Sequence, residues 1–253
     1  MRCNAVKTQV LLMCFLIWAA GVQVAGGQSA REILQRAENA IKGKTSHGIF
    51  VMKVVTPEYQ RTLKMESWWV GNEKALIKII APAKEAGNRT LKIGNQIWMY
   101  LRNTETTIKI PPSMMLQSWN GSDYTYDDLV RESNLVRDYE VTLAGTDTVD
   151  GVPCWKLRLV PRPDAPVVWG KLYYWVRKQD NLPARVEFYD EKGKLIRTMH
   201  FLEFKHMGGR KIPTRWVMRN ERKPGHYTEL IIEKVRFNIR IPNRIFSFRE
   251  LER

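Results

Sequence analysis

The strongest constraint in this chain is a period of two. Apolar side chains recur at alternate positions in Phe50/Met52/Val54, Leu63/Met65/Trp69, Ala75/Ile77/Ile79, Leu91/Ile93, Ile97/Met99 and Ile108/Ile110. Lys53, Lys64, Glu66, Lys74 and Lys78 stand between them. Successive side chains of a strand point to opposite faces, so each run has one buried and one wet face. The pattern resumes in Tyr139/Val141/Leu143, Trp155/Leu157/Leu159, Leu172/Tyr174/Val176, Val186/Phe188 and over 195–204, 212–218 and 227–237. Gly94-Asn95, residues 147–151, Gln179-Asp180-Asn181, residues 190–193 and Gly208-Gly209 supply hairpin turns. The reading is a mainly β chain of about a dozen antiparallel strands. No fixed repeat and no Pro/Ser-rich linker divides it.

The ends add a compartment. Arg2 and Lys7 precede an uncharged apolar run over 10–20, which suits a signal peptide and falls short of the ~20 residues of a membrane span. Val24, Ala25, Gly26 and Gly27 follow, so residues 1–27 are expected to be a cleaved signal and residues 28–253 the mature domain. Cys14 lies inside the apolar run behind Met13, which does not make a lipobox. Cleavage also removes Cys3, leaving Cys154 with no intramolecular partner and beside Trp155, the setting of a buried, inert thiol. Ser29-Ala30-Arg31-Glu32 is a capping box, and Ile33, Leu34, Ala37 and Ile41 keep helical spacing up to Gly43. One amphipathic helix therefore opens the mature chain.

Residues 111–138 break the pattern. Pro111-Pro112 stops the sheet, Met114, Met115, Leu116 and Trp119 form an apolar stretch, and 125–131 reads as a capped short helix. Such an insertion between two runs of strands would cover one face of the sheet or the mouth of a barrel. Asp123, Asp127 and Asp128 lack the spacing of a calcium loop and suit helix-start aspartates that complement the dipole. His47, His200, His206 and His226 are isolated, and there is no nucleophile elbow, phosphate-binding glycine loop or Cys-x-x-Cys. The chain is read as a non-enzyme, with no metal and no cofactor.

Nine tryptophans and ten methionines are the informative excess. Met and aromatic side chains adapt to irregular apolar shapes, as a cavity for flexible acyl chains requires. The formal charge is +15, and losing Arg2 and Lys7 lowers it by two. Such a field favours anionic partners. For an exported chain these are lipid headgroups, anionic glycolipid or acidic protein, not nucleic acid; the cations fall singly at alternating positions, as on a solvated outer face.

Five segments carry a family likeness: SWNGSDYTYDDLVRES (118–133), GVPCWKLRLVP (151–161), YDEKGKLIRTMHF (189–201), GGRKIPTRW (208–216) and IPNRIFS (241–247). Together they resemble the LolA-like outer-membrane lipoprotein-sorting proteins, in the branch first defined on a spirochaete protein. The resemblance runs from about residue 45 to the end, with residues 119–123 its most specific piece. It implies a single, incompletely closed antiparallel barrel of about 11 strands with an N-terminal helix and a helical lid. It also implies a periplasmic carrier that shuttles acyl chains of lipids or lipoproteins towards the outer membrane, from an inner-membrane exporter to an outer-membrane acceptor. The acyl cavity would use Phe50, Met52, Leu63, Met65, Trp69, Ile77, Ile79, Leu91 and Met99, with Met114, Met115, Leu116 and Trp119 from the lid. Carriers of this kind latch the lid with a strand arginine, for which Arg61 is the candidate. The other reading is an envelope sensor or scaffold that uses the same fold to bind a membrane-anchored partner.

Overall fold

The computed structural model describes residues 28–131, 135–165 and 167–253, so the expected signal peptide lies outside the described residues. The capping box forms as expected. Glu32 N–H donates to Ser29 Oγ and Ser29 N–H to the Glu32 carboxylate, starting helix α1 (Ala30–Ile41), whose Ile33, Leu34 and Ala37 are buried.

After α1 come six strands, β1 (Thr45–Val55), β2 (Gln60–Val70), β3 (Lys74–Ala81), β4 (Arg89–Ile93), β5 (Gln96–Leu101) and β6 (Thr106–Lys109). The insertion carries two short helices, α2 (Tyr126–Arg131) and α3 (Leu135–Asp138). Seven strands follow: β7 (Tyr139–Val149), β8 (Val152–Pro161), β9 (Lys171–Arg177), β10 (Pro183–Tyr189), β11 (Leu195–Met207), β12 (Arg210–Asn220) and β13 (Tyr227–Phe237). A last helical turn, α4 (Phe248–Leu251), ends the chain. The strands make one 13-stranded sheet in the order β6-β5-β4-β3-β2-β1-β13-β12-β11-β10-β9-β8-β7, against the about 11 implied by the resemblance. Two meanders are joined in the middle by the β1–β13 pair, and the edges β6 and β7 stay unpaired with each other.

The sheet must be bent. Ten strand spacings separate β5 from β8, about 48 Å along a flat sheet at ~4.8 Å each. Yet Ile97 of β5 and Leu157 of β8 belong to one buried cluster, together with Ile33 of α1 and Trp119 of the insertion. Only a sheet curled around its helices brings both ends to one core. The core lies on the concave face, with α1 and the insertion filling the hollow.

A second cluster sits on the convex face. The C-terminal segment lays Phe246 and Leu251 on Leu76 and Leu91, and Arg89 Nη1 donates to the carbonyls of Glu250 (3.0 Å) and Leu251 (3.2 Å). This corrects the expectation for Leu91. It pairs with Leu76 across β3–β4, whereas Thr90 pairs with Ile77, so Thr90 faces inwards and Leu91 outwards. Convex-face residues of β4 are dry because the chain terminus covers them.

Candidate functional site

On the concave face, alternation places Phe50 and Met52 of β1, Leu63, Met65 and Trp69 of β2, Ile77 and Ile79 of β3, and Met99 of β5 on one surface. Between this surface and the insertion lies a cavity of about 180 Å³. Phe50, Met52, Met65, Trp69, Ile77 and Trp119 line it, joined by Leu129, Trp216, Leu230 and Phe237. Leu63, Ile79 and Met99 pack in the same core beside it. Met114 and Met115 pack against that core, while Leu116 is 58% exposed and turns to solvent, contrary to expectation. It stands in the exposed stretch 116–118, between the half-buried Met114-Met115 and the buried Trp119, which leaves it uncovered.

The insertion is pinned by polar bonds at almost every turn. Asn120 (φ 51°) and Gly121 (φ 69°) both take left-handed backbone, which aims Trp119 down into the sheet. Its indole N–H donates to Thr90 Oγ1 at 3.2 Å, the reason a hydroxyl faces inwards there. Asp123 N–H donates to Thr228 Oγ1 (2.9 Å), whose hydroxyl donates back to the Asp123 carboxylate (2.8 Å). Arg61 Nη1 donates to the Asn120 carbonyl at 3.0 Å while its other nitrogens pair with Glu85. Helix α2 is capped reciprocally by Thr125 and Asp128: Thr125 N–H donates to Asp128 Oδ2 (2.7 Å), and Asp128 N–H to Thr125 Oγ1 (3.2 Å).

Asp128 does more than cap. Arg197, from the concave face of β11, grips its carboxylate with both terminal nitrogens, Nη1 to Oδ2 at 2.7 Å and Nη2 to Oδ1. Nη1 also donates to the Asp123 carbonyl at 3.2 Å. The two side chains are 5% and 9% exposed, and the guanidinium lies 4.5 Å from the ring centroids of both Trp169 and Phe188. A bidentate, desolvated ion pair of this kind ties the lid helix to the sheet. Arg61 reaches the insertion at the Asn120 carbonyl, and the bond to the lid helix itself comes from Arg197. A signal for it exists in the sequence: Arg197 is in phase with Met199 and Phe201, the apolar face of its strand.

Helix α2 also partitions the hollow. A second, smaller cavity of about 40 Å³ lies on its other flank, lined by Leu172, Tyr174, Val186, Phe188, Met199 and Phe201 among others. Asp128 and Ile41 border both. Tyr126 in α2 donates its hydroxyl to Met99 Sδ at 2.8 Å, and burial raises its pKa. Glu38 of α1 accepts from Tyr174 Oη at 3.0 Å and pairs with Lys42. Cys154 is fully buried on the opposite face, and burial pushes its thiol pKa up.

Lys92 is a further inward charge. It pairs with Ala75 and Ile97 across β3–β4–β5, is 2% exposed, and its ammonium donates to the Asn72 carbonyl. Burial lowers its pKa to about 8, with Glu73 opposing the shift. The folded value lies below the unfolded 10.5, so between those pH values the unfolded chain binds a proton that the folded chain does not. Stability contributed by this residue therefore increases as pH rises from about 8 towards 10.5. Urea melts across that range should show Lys92→Met losing this rise relative to the parent. Parallel pH profiles for the two proteins would refute the assignment.

Among the described residues, no helix is long and apolar enough to cross a membrane, and no group of three or more His, Cys, Asp or Glu could hold a metal ion. The fold and cavity define a lidded, half-open β-barrel of the LolA type. A family model described only as an uncharacterized-protein-like family matches residues 71–253. No curated protein matches the sequence. Among solved structures, a DUF1329 family protein from Desulfovibrio piger superposes with a TM-score of 0.80 at 21% identity, over 88% of this chain and 97% of that one. A LolA superfamily protein from Nitrosomonas europaea gives 0.75 at 23% identity, over 89% and 100%. A Vibrio parahaemolyticus domain named for outer-membrane lipoprotein sorting gives 0.76 at 23%, over 88% and 98%. The chain belongs to the family whose model matches residues 71–253, and its fold is the one seen in the LolA superfamily structures.

Proposed function

We propose that the protein is a periplasmic carrier that holds acyl chains of lipids or lipoproteins against the concave face and shuttles them towards the outer membrane. The observation that carries this reading is the division of one apolar hollow by a small, polar-latched helix. A cavity of ~150 Å³ takes a benzene-sized ligand, so the space of about 180 Å³ beside α2 admits only a short stretch of chain. Moving α2 aside would join it to the cavity of about 40 Å³ and free the face now covered by Leu129 and Tyr126. Burying one 16-carbon chain contributes about 12 kcal/mol gross at ~0.8 kcal/mol per CH₂. Displacing the lid offsets part of this, which leaves the carrier able to release its load.

In this reading Phe50, Met52, Met65, Trp69 and Ile77 form the acyl-facing wall, Trp119 and α2 the lid, and Arg197–Asp128 the latch. Loading at an inner-membrane exporter and unloading at an outer-membrane acceptor would be exchanges of lid contacts for acyl contacts. The names of the structural neighbours, for LolA and for lipoprotein sorting, agree with it. Native mass spectrometry of protein extracted gently from its host should find a lipid or lipoprotein acyl species bound. Protein that is empty in every preparation, and that takes up no added fatty acid, would exclude the carrier role.

A further inference from the structure

The large cavity is not apolar at every edge. Its polar lining is Lys42, Gly43, Ser46, Ser67, Gly71, Asn72 and the ends of Tyr124 and Asp128. Lys42, Gly43, Ser46, Gly71 and Asn72 belong to one end of the sheet, where the α1–β1 link meets the β2–β3 turn and the end of β13. Gly71 N–H donates to the Lys44 carbonyl (2.8 Å), and Ser46 pairs with Phe237. Four cationic residues belong to this end of the sheet, of which Lys42 lines the cavity, Lys44 is exposed and Lys92 is buried. Lys42 and Lys44 bracket Gly43; the ammonium of Lys92 sits on the Asn72 carbonyl. Arg210 Nη1 donates to the carbonyls of Asn39 (3.0 Å) and Lys42 (3.1 Å), and its guanidinium covers the cavity-lining ring of Phe237 at 4.3 Å. Nearby acidic groups are Glu38, which pairs with Lys42, and the exposed Glu73 of the β2–β3 turn.

We propose that the ligand of this cavity is an anionic amphiphile, its acyl chain lying between α2 and the sheet and its charged headgroup held at the rim by Lys42, Lys44 and Arg210, with the buried ammonium of Lys92 behind them adding to the field. The inference rests on the acyl-carrier reading and narrows it to ligands whose polar end bears a phosphate or carboxylate. Two physical points carry it. An acyl chain entering from this end leaves its polar end among the cations, because the walls beyond the rim are Phe50, Met52, Trp69 and Ile77. Those cations stand beside low-dielectric walls, where an anion gains more than at an open surface. Part of the basic excess of the chain thereby gains a place and a partner. With a folded pKa of about 8, Lys92 is still mostly charged at neutral pH and adds to this field.

Trp69, Trp119 and Trp216 line the cavity and report occupancy by fluorescence. The protein is titrated with palmitoyl lysophosphatidylglycerol, palmitate, palmitoyl lysophosphatidylcholine and monopalmitin, each below its micelle-forming concentration. The anionic lysolipid should bind at least about tenfold tighter than monopalmitin, a difference of about 1.4 kcal/mol. The preference should shrink as salt rises from about 0.05 to 0.5 M, because partly exposed charges are screened. In Lys44→Glu/Arg210→Gln the ratio of the two affinities should fall below about threefold, roughly 0.65 kcal/mol. Palmitate tells whether a carboxylate suffices or a phosphodiester is needed. Equal affinity for anionic and neutral probes in the parent, or a preference that survives the double substitution, overturns the proposal and leaves the acyl cavity standing. Failure of all four probes to bind overturns both.

Discussion

Arg197→Met is expected to lower the unfolding free energy by about 3–5 kcal/mol, the usual effect of leaving one partner of a buried ion pair uncompensated. Asp128 would remain 9% exposed by its side chain, between two cavities with mostly apolar walls, with only its cap to Thr125 to satisfy it. Adding Asp128→Leu should recover most of that loss, because an apolar pair of similar volume is often as stable as the ion pair it replaces. Recovery should stop about 1 kcal/mol short, the contribution of the N-cap. Urea melts of the parent, both single variants and the double variant form a double-mutant cycle that isolates the pair. The latch reading adds a kinetic expectation. A bound fluorescent fatty acid should leave Arg197→Met faster, by about tenfold for each 1.4 kcal/mol by which the closed lid is weakened. Unchanged release from a variant destabilised by several kcal/mol would make Arg197 a fold residue and not a latch.

The second large effect separates a cavity that receives ligand from one that is merely imperfect packing. Ser67 is 4% exposed, lines the large cavity, and accepts the Trp69 indole N–H at 3.1 Å. In Ser67→Phe the new ring enters space that the structure leaves unfilled. Filling a void recovers contacts, and losing the indole's acceptor costs about 1 kcal/mol, so net stability should change by less than about 1.5 kcal/mol. Acyl binding should nonetheless fall by a factor of about 100 or more, since losing even four buried methylenes at ~0.8 kcal/mol each removes about 3 kcal/mol. Thermal melts and fatty-acid titration of the same preparation check both halves. If acyl affinity is retained while the ring is accommodated, the chain binds elsewhere and the cavity is only a packing flaw.

Where polarity follows burial, the sequence is a sufficient guide. The alternation in β1–β3 and β7–β9, the capping box at Ser29 and the Pro111-Pro112 break are local signals, and each element stands where its pattern puts it. Short-range physics sets these features: a pleat has period two, and a helix start needs acceptors for its free N–H groups.

The rule inverts on β4 and at Arg197, both of which matter for the lid. Thr90 and Lys92 are polar yet concave, while Leu91 is apolar yet convex, because the last residues of the chain dry the outer side of β4 and the insertion supplies an indole donor on the inner side. Arg197 is in phase with the apolar Met199 and Phe201, yet nothing local explains a cation on that face, and its counterion Asp128 comes from a distant segment. Asp128 itself has a local reading as a cap that is correct and incomplete.

By itself the sequence determined the strand class, the opening helix, the place of the insertion and the family likeness, because these follow from backbone periodicity and from segments that carry their own hydrogen-bond partners. The tertiary structure alone decided which face of β4 is greasy, which arginine holds the lid and how the hollow is divided. Those depend on residues scores of positions apart meeting across a curled sheet, where a charge becomes tolerable only once its counterion has come to it.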